Sequence, residues 1–314
     1  MTAAVVASAF GGPEVLTLVH SELSRPGPGQ VSIRVRGAGV NPIDYKVYGG
    51  AAGEDLSQLP MPLGMEVSGE VTDVGLDAVG PAGPVSVGDT VIAYPVTGGY
   101  ASEVTVSATS VVPKPPRMSW EEAAGLMLTG VTAVHALATV RVARGDTVLV
   151  HGVSGGVGLT AAQIAVDEGA TVVGTAGTRH HEALRGYGVV PVTYGPGLAY
   201  RVREAAPGGV DAAIDTVGTD EAVDTSFELV NARDRIVSIA AFGRANSGIT
   251  LIGGGPGADP GTEVRDAARL QLTRRIDAGT LRVVVAKTFP LAEAADAHRL
   301  VAGGHAGGKV VLLP

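Results

Sequence analysis

Cysteine is absent from this 314-residue chain. That absence removes disulfides, thiolate nucleophiles and cysteine-ligated zinc together. Aromatic residues make up only 4 %, so a core must be built mainly from Val, Leu, Ile and Ala. No block of Lys and Arg occurs and the net charge is −8, which argues against nucleic acid or an anionic membrane as partner. The histidines His20, His135, His151, His180, His181, His298 and His305 show no H-E-x-x-H or other ligand spacing, so no metal site is expected. The first ten residues lack a basic stretch and a full apolar stretch, so no secretory leader is expected and a cytoplasmic location is. Two runs free of charged residues, 123–140 and 147–166, have the length of membrane spans. Both consist mostly of Ala, Gly, Thr and Val, each holds a histidine, and the second holds a glycine turn. They read as buried elements of an α/β protein.

Hydrophobic residues reach 45 %, and the 46 glycines and 19 prolines punctuate apolar runs instead of clustering with charge. This is the composition of a folded chain with many tight turns. The length allows two domains, at about 100–200 residues each. Up to about Pro116 the pattern is strands and turns. Val31-Ser-Ile-Arg-Val-Arg36 alternates, and so does Met65-Glu-Val-Ser-Gly-Glu-Val-Thr72, with Glu66, Ser68, Glu70 and Thr72 on one face. Residues 89–94 and 102–106 are further strands. The pattern predicts a mostly antiparallel β domain with one wetted face, on which Glu66 and Glu70 are solvated. Pro113-Lys-Pro-Pro116 marks a boundary, and Ser119-Trp-Glu-Glu122 is a capping box that starts a helix through about Val140.

From Asp146 the period changes. Strands are expected at 147–151, 171–175, 189–193, 210–214, 235–240 and 249–252, with helices at 157–168 and 220–231 among those between them. Such alternation predicts a doubly wound parallel sheet. A helix at about 262–278, a strand at 283–285, a helix at 291–302 and a last strand at 309–313 follow, and this tail is expected to return to the first domain. The expected domains are 1–117, completed by 256–314, and 118–255.

The most informative stretch is His151-Gly-Val-Ser-Gly-Gly-Val-Gly158. It joins the apolar strand Thr147–His151 to a helical run from Val157. Strand, glycine turn and helix in that order make a phosphate cradle, with the first helical N–H groups and the positive helix end facing a diphosphate. Val157, Ala161, Ile164 and Ala165 share the buried face, and Gly158, Ala161 and Ala162 are small enough for close packing. The spacing Gly152-x-x-Gly155-x-x-Gly158 departs from the strict dinucleotide fingerprint, so an ordinary α/β turn that binds nothing is the competing reading.

The second strand of this series ends Val173-Gly-Thr-Ala-Gly-Thr-Arg179-His-His181, with no acid before Glu182. An acid there hydrogen-bonds the ribose 2′-OH of NAD and repels a 2′-phosphate. Small hydroxylated residues with Arg179 point to NADP instead, because guanidinium matches phosphate. The alternative is a solvated helix start. Asp215-Thr-Val-Gly218 and Ser238-Ile-Ala-Ala-Phe-Gly243 follow later strands, so Thr216, Ile239 and Phe242 are expected at the cofactor crevice, or in simple turns.

These residues resemble the zinc-free medium-chain dehydrogenases/reductases of the quinone oxidoreductase (zeta-crystallin-like) group. The resemblance spans nearly the whole chain. It rests on Gly39-Val-Asn-Pro-Ile-Asp-Tyr45, Gly64-Met-Glu-Val-Ser-Gly-Glu-Val71, Gly88-Asp-Thr-Val91, Gly99-Tyr-Ala-Ser-Glu103, Leu128-Thr-Gly-Val-Thr-Ala133, the 150–158 turn, Asp215-Thr-Val-Gly218 and Gly308-Lys-Val-Val-Leu312, in that order. It implies a GroES-like β-rich catalytic domain, a Rossmann cofactor domain, a site in the cleft between them, NADP(H), and a homodimer or homotetramer. Carried over by motif position, Asn41, Asp44 and Tyr45 belong to the substrate-side loop, with Lys46 beside them where relatives commonly carry an aromatic residue. Thr129 lines the cleft. Ser154, Gly155, Gly156 and Val157 hold the diphosphate, and Thr175, Gly177, Arg179 and Tyr194 are at the adenosine end, with Lys309 also among the cofactor contacts. His181 stands where relatives often have lysine. Zinc-dependent relatives carry an early-loop cysteine and a Gly-His-Glu run, where this chain has Asn41-Pro-Ile-Asp44 and Gly64-Met65-Glu66.

The expected chemistry is hydride transfer from NADPH to a small electrophile, a quinone or an activated enone. Asn41 and Tyr45 are candidate donors to the oxygen on which charge develops. Asn41 could instead anchor a turn, and Tyr45 could pack the cleft. His151, at a strand end, reads as a satisfied core histidine. Two rivals remain: a 2-enoyl-thioester or enone reductase on the same fold, and an NADPH-binding structural or regulatory protein with little turnover.

Overall fold

β-branched residues at alternate positions make Gln30–Val40 the spine of the first part of the protein, with Val31, Ile33 and Val35 buried in its core. The structure is a computed structural model that describes residues 1–51, 53–304 and 306–314. Ala52 and His305 lie outside the described residues, and His305 is one of the seven histidines read for ligand spacing. The chain forms two compact units. One comprises Met1–Leu128, Arg269–Ala278 and Val283–Pro314; the other comprises Thr129–Ala268 and Gly279–Arg282.

In the first unit, Gln30–Val40 pairs antiparallel with Val67–Val74 along one edge. Its other edge is shared: Glu103–Ser107 pairs with the first half and Lys309–Leu313 with the second. Thr90–Ala93 and Val111–Pro113 extend the sheet beyond Val67–Val74, and Val285–Pro290 lies parallel to Lys309–Leu313 at the far side. Val6 and Ala7 of Thr2–Ala7 pair with Met61–Pro62 in a smaller sheet. The C-terminal strand is thus an interior member of a sheet begun by residue 30. The sequence places a strand at 283–285; here the strand runs Val285–Pro290, and a 3-10 turn at Leu291–Glu293 precedes the helix Ala294–Ala302.

The face expected to be wet is covered at one end. Glu66 and Ser68 are fully buried, whereas Glu70 is partly exposed and pairs with Arg36 at 3.4 Å. The cover is the short helix Trp120–Ala124, whose Trp120 carbonyl accepts from Ser68 Oγ at 2.6 Å. Close approach requires a residue without a side chain, since a Cβ at Gly39 would stand 2.3 Å from the Ala124 carbonyl oxygen. The single helix expected from Ser119 to Val140 is broken at Gly125 into Trp120–Ala124 and Met127–Thr139. The break lets the Leu128 N–H, in the first turn of the second helix, donate to Glu66 Oε2 at 2.9 Å. It also makes room for the Lys309 stem, 2.9 Å from where a Gly125 Cβ would lie.

The second unit is a parallel sheet. Among the described residues its strands run, in spatial order, Val189–Val192, Thr171–Thr175, Thr147–His151, Ala212–Asp215, Ile236–Ser238 and Thr250–Leu251. The chain winds outward in both directions from Thr147–His151, the doubly wound arrangement that strand–helix alternation predicts. Its central strands read as unbroken apolar runs because helices cover such sheets on both faces. The expected strand 235–240 is shorter because Ser238 Oγ accepts the N–H groups of Ala240 and Ala241 and turns the chain. Among the described residues no helix is long and apolar enough to cross a membrane.

Glu66 Oε1 takes Lys309 Nζ at 2.9 Å and Asn41 Nδ2 at 3.0 Å, all inside the first unit. Removing one partner of such a pair leaves an uncompensated buried charge, at a cost of about 3–5 kcal/mol. Lys309→Met is therefore expected to lower the thermal midpoint sharply, and the double variant Lys309→Met/Glu66→Gln to recover most of the loss. A scanning calorimetry series in which the double variant is no better than the single would contradict this.

Candidate functional site

The glycine turn is built by close approaches that exclude side chains. Gly152 adopts φ +73°, and a Cβ there would stand 2.6 Å from Thr216 Oγ1. A Cβ at Gly158 would stand 2.5 Å from the Gly152 carbonyl oxygen. One sheet strand over, a Cβ at Gly174 would stand 2.5 Å from Val153 Cγ1. The turn closes through Gly155 N–H to the Gly152 carbonyl at 3.0 Å, and Gly155 caps the helix Gly156–Asp167. Ser154, Gly156 and Val157 are half-buried and Gly155 is exposed, so the N-terminal N–H groups of a twelve-residue helix are within reach of an anion.

The neighbours of the turn divide into supports and surface groups. Thr175 is buried, and its Oγ1 accepts the Gly152 N–H at 3.0 Å, so it holds the turn. Thr216 Oγ1 donates to the His151 carbonyl at 2.7 Å and binds the next loop to the turn. Asp215 is fully buried; it accepts from Val217 and Gly218 N–H and from Ser238 Oγ at 2.6 Å, which ties two crevice loops together. Ile239 follows Ser238 and donates its N–H to the Asp215 carbonyl. Phe242 is half-buried, its ring 2.2 Å from where a Gly255 Cβ would lie. Gly177 and Tyr194 are neighbours, and Tyr194 is exposed. Arg179 is exposed and its Nε donates to His180 Nε2 at 2.9 Å. Thr129, in the same unit, is buried. His151 is buried with Nε2 3.1 Å from Ser226 Oγ, and burial lowers its pKa to about 4. It is a satisfied core histidine.

The first unit holds Asn41, Asp44, Tyr45, Lys46 and Lys309. Pro42 starts the helix Pro42–Tyr48, and Asp44 Oδ2 reaches back to the Asn41 N–H at 2.8 Å. Two expectations change here. Asn41 is buried, and its amide donates to Glu66 Oε1 and to the Gly39 carbonyl, so no N–H remains for a substrate oxygen. Lys309, expected at the cofactor, is buried with Nζ on Glu66, Asn41 Oδ1 and the Val40 carbonyl. Its charge is compensated inside the sheet. Tyr45 is half-buried and its hydroxyl makes no hydrogen bond among the described residues; burial raises its pKa. Lys46 is exposed.

A buried chain of hydroxyl, imidazole and carboxylate completes this unit, and the sequence patterns do not disclose it. Tyr100 Oη donates to Asp44 Oδ2 at 2.8 Å and lies 3.0 Å from His298 Nε2; Tyr48 Oη lies 2.8 Å from His298 Nδ1. Since Tyr100 gives its proton to Asp44, its oxygen accepts from His298 Nε2–H, and Nδ1 accepts from Tyr48. Burial lowers the His298 pKa to about 4, keeping it neutral. Burial raises that of Asp44 to about 7, against the pull of the Asn41 N–H, Tyr100 and Lys309. The four residues lie far apart in the chain and belong to no common motif, so the sequence carries no sign that they meet.

Unfolded, a carboxyl such as Asp44 loses its proton near pH ~3.9; folded, it keeps it to about 7. Folding takes up a proton in that window, so this contribution to stability is present at low pH and is lost as pH rises through about 7. Asp44→Asn keeps an oxygen acceptor and lacks the titration. The melting temperature of the variant minus that of the parent should grow from pH 4.5 to 7.5 and then level. A difference that is flat with pH would refute the raised pKa.

Sequence and structure comparisons agree with this geometry. The family described as "Alcohol dehydrogenase GroES-like domain" matches residues 27–116, and the one described as "Zinc-binding dehydrogenase" matches 189–312. The second description names zinc, which does not fit these residues: the chain has no cysteine, and among the described residues no group of three or more His, Asp or Glu could hold a metal. A quinone oxidoreductase of Pseudomonas aeruginosa is 32 % identical over 98 % of each chain. A 2-haloacrylate reductase of a Burkholderia species is 32 % identical over 100 % of this chain and 99 % of its own. A mycobacterial protein solved in complex with NADPH superposes with a TM-score of 0.84 at 32 % identity, covering 100 % of both chains. A GroES-like unit, a parallel-sheet unit with a glycine turn and this whole-length similarity together place the chain in the zinc-free quinone oxidoreductase group of the medium-chain dehydrogenase/reductase family, as an oxidoreductase.

Proposed function

We propose that this oxidoreductase uses NADPH and delivers hydride to a quinone or an activated enone. The carrying observation is the turn at 152–158 beside a strand end that has no acid and presents Arg179 on the surface. When bound, the cofactor supplies a hydride at its nicotinamide C4. The N–H groups of Gly156 and Val157, with Ser154, would hold the diphosphate. Arg179 would take the 2′-phosphate, with Gly177 and Tyr194 beside the adenosine. Thr175 and Asp215 act behind them by holding the loops in place. In a quinone, negative charge develops on the second carbonyl oxygen; in an enone, hydride adds at the β-carbon and charge develops on the carbonyl. Tyr45 is the candidate donor to that oxygen, since burial keeps its phenol protonated and its hydroxyl is not committed to another of the described residues. The reading extends to two or four copies of the chain in the cytoplasm. The haloacrylate-reducing relative supports the conjugated C=C acceptor as the second reading.

Oxidation of the reduced nicotinamide, followed by absorbance with NADPH and NADH against a panel of quinones and enones, tests the proposal. NADPH should be preferred, and Arg179→Ala should raise KM for NADPH about tenfold while leaving that for NADH nearly unchanged. Tight NADPH binding with no acceptor reduced would sink the enzyme chemistry, and equal rates with both cofactors would sink the assignment of Arg179.

Tyr45→Phe removes the hydroxyl and keeps the ring. A donor to the developing oxyanion should cost kcat about 10–1,000-fold. A variant with unchanged kcat and altered KM would assign Tyr45 to packing.

A further inference from the structure

The helix Pro42–Tyr48 is too short to stand by itself, since isolated helices under about 12 residues are marginal in water. It carries Tyr45, whose ring packs against the core of the first unit and whose hydroxyl makes no hydrogen bond among the described residues. Where that hydroxyl sits therefore depends on what grips the helix. Asp44 and Tyr48 stand at i and i+4, so their side chains share one face. Tyr45 comes next after Asp44 and is turned roughly 100° from it about the helix axis.

The gripped face closes into a circuit of hydrogen bonds. Tyr48 Oη donates to His298 Nδ1 at 2.8 Å, His298 Nε2 donates to Tyr100 Oη at 3.0 Å, and Tyr100 Oη donates to Asp44 Oδ2 at 2.8 Å. The run of donors thus starts at the last residue of the helix and returns to its first turn. None of the four residues is more than 3 % exposed, so water does not replace a lost bond. The two bridging residues are themselves fixed. His298 lies in Ala294–Ala302; its imidazole stacks on the Tyr48 ring with centroids 5.6 Å apart and meets the Tyr100 ring edge-on at the same separation. Tyr100 donates its backbone N–H to the Leu63 carbonyl at 2.9 Å and accepts from the Val5 N–H at 2.8 Å. Gly64, at φ +91°, makes room for the Tyr100 ring, which a Cβ there would strike. All of these residues belong to the first unit.

Apolar packing alone is non-directional and lets a short helix turn on its bed. Hydrogen bonds weaken steeply when bent, so bonds at both ends of one face set the rotation of the helix. We propose that Tyr100 and His298 are positioning residues for Tyr45: by closing the circuit between Asp44 and Tyr48 they fix the rotation of the helix and so the place of the Tyr45 hydroxyl. This deepens the reductase reading and rests on it for the role of that hydroxyl.

Tyr100→Phe keeps the aromatic ring and removes two of the three bonds. With NADPH and the acceptor panel it should lower kcat about tenfold and change KM for NADPH less than about twofold. In a Tyr45→Phe background the same substitution should cost little more, because a residue that acts through the Tyr45 hydroxyl has nothing further to lose. A merely structural role would cost the same in both backgrounds. Labelling the full chain with fluorotyrosine gives a readout without turnover. The fluorine resonance of Tyr45, identified by its loss in Tyr45→Phe, should shift or broaden in Tyr100→Phe, while those of Tyr187, Tyr194 and Tyr200 in the second unit stay in place. An unmoved Tyr45 resonance in folded Tyr100→Phe, or losses of kcat that multiply in the double variant, would overturn the positioning role. If Tyr45→Phe alone leaves kcat unchanged, the reading of Tyr45 as donor has failed, and the resonance alone decides whether the circuit positions it. If Tyr100→Phe does not fold, Tyr48→Phe opens the circuit at its other end and carries both comparisons.

Discussion

The buried ion pair between Glu66 and Lys309 organises the first unit. A carboxylate with no exposure survives away from water only when its oxygens are fully engaged. Here Lys309, the Asn41 amide and the Leu128 N–H supply those donors from three separate parts of the chain. The consequence reaches outward. The C-terminal strand must enter beside Gln30–Val40 to deliver the lysine, and the helix after Ser119 must break to deliver an N–H. Asn41, fixed by the same pair, starts the helix that carries Tyr45. The pair thus decides which side chains of this unit remain open for chemistry. It engages the Asn41 amide and the Lys309 ammonium, while the Tyr45 hydroxyl makes no hydrogen bond among the described residues.

The second unit depends on an opposite constraint, the exclusion of side chains. Gly152, Gly158 and Gly174 each occupy a place where a Cβ would collide with a neighbour. What results is a helix start whose N–H groups face outward. Behind it, Asp215, Ser238, Thr175 and Thr216 spend their polar atoms on backbone and on each other. The surface residues Arg179 and Tyr194 are therefore presented on loops held by a buried polar frame. The same economy holds around His135, a buried histidine that accepts from Arg265 Nε and donates to Asp259 Oδ2.

Much of this was legible in residue order. The switch from period-two strands to strand–helix alternation near residue 146 reflects real elements, because apolar residues must face the core at the spacing of each element. The glycine turn was readable since only glycine tolerates those contacts, and the absence of an acid at the end of Thr171–Thr175 is visible in residue order alone. The break at Gly125 was hidden because a lone glycine within a helical pattern has many uses. Glu66 looked solvated because strand alternation reports two faces without saying what covers either. Asn41 looked like a free donor for the same reason, since its partners lie 25 and 268 residues away.

By itself the sequence determined the two architectures, the glycine cradle and the absence of any cysteine ligand, because local sterics and hydrophobic period act over a few residues. Tertiary structure alone decided which polar groups are spent and which are open. Asp44, Tyr48, Tyr100 and His298 meet only after strands and helices pack, and burial then moves their titration away from its ordinary range. Desolvation is a property of the assembled neighbourhood, and no single segment of the chain encodes it.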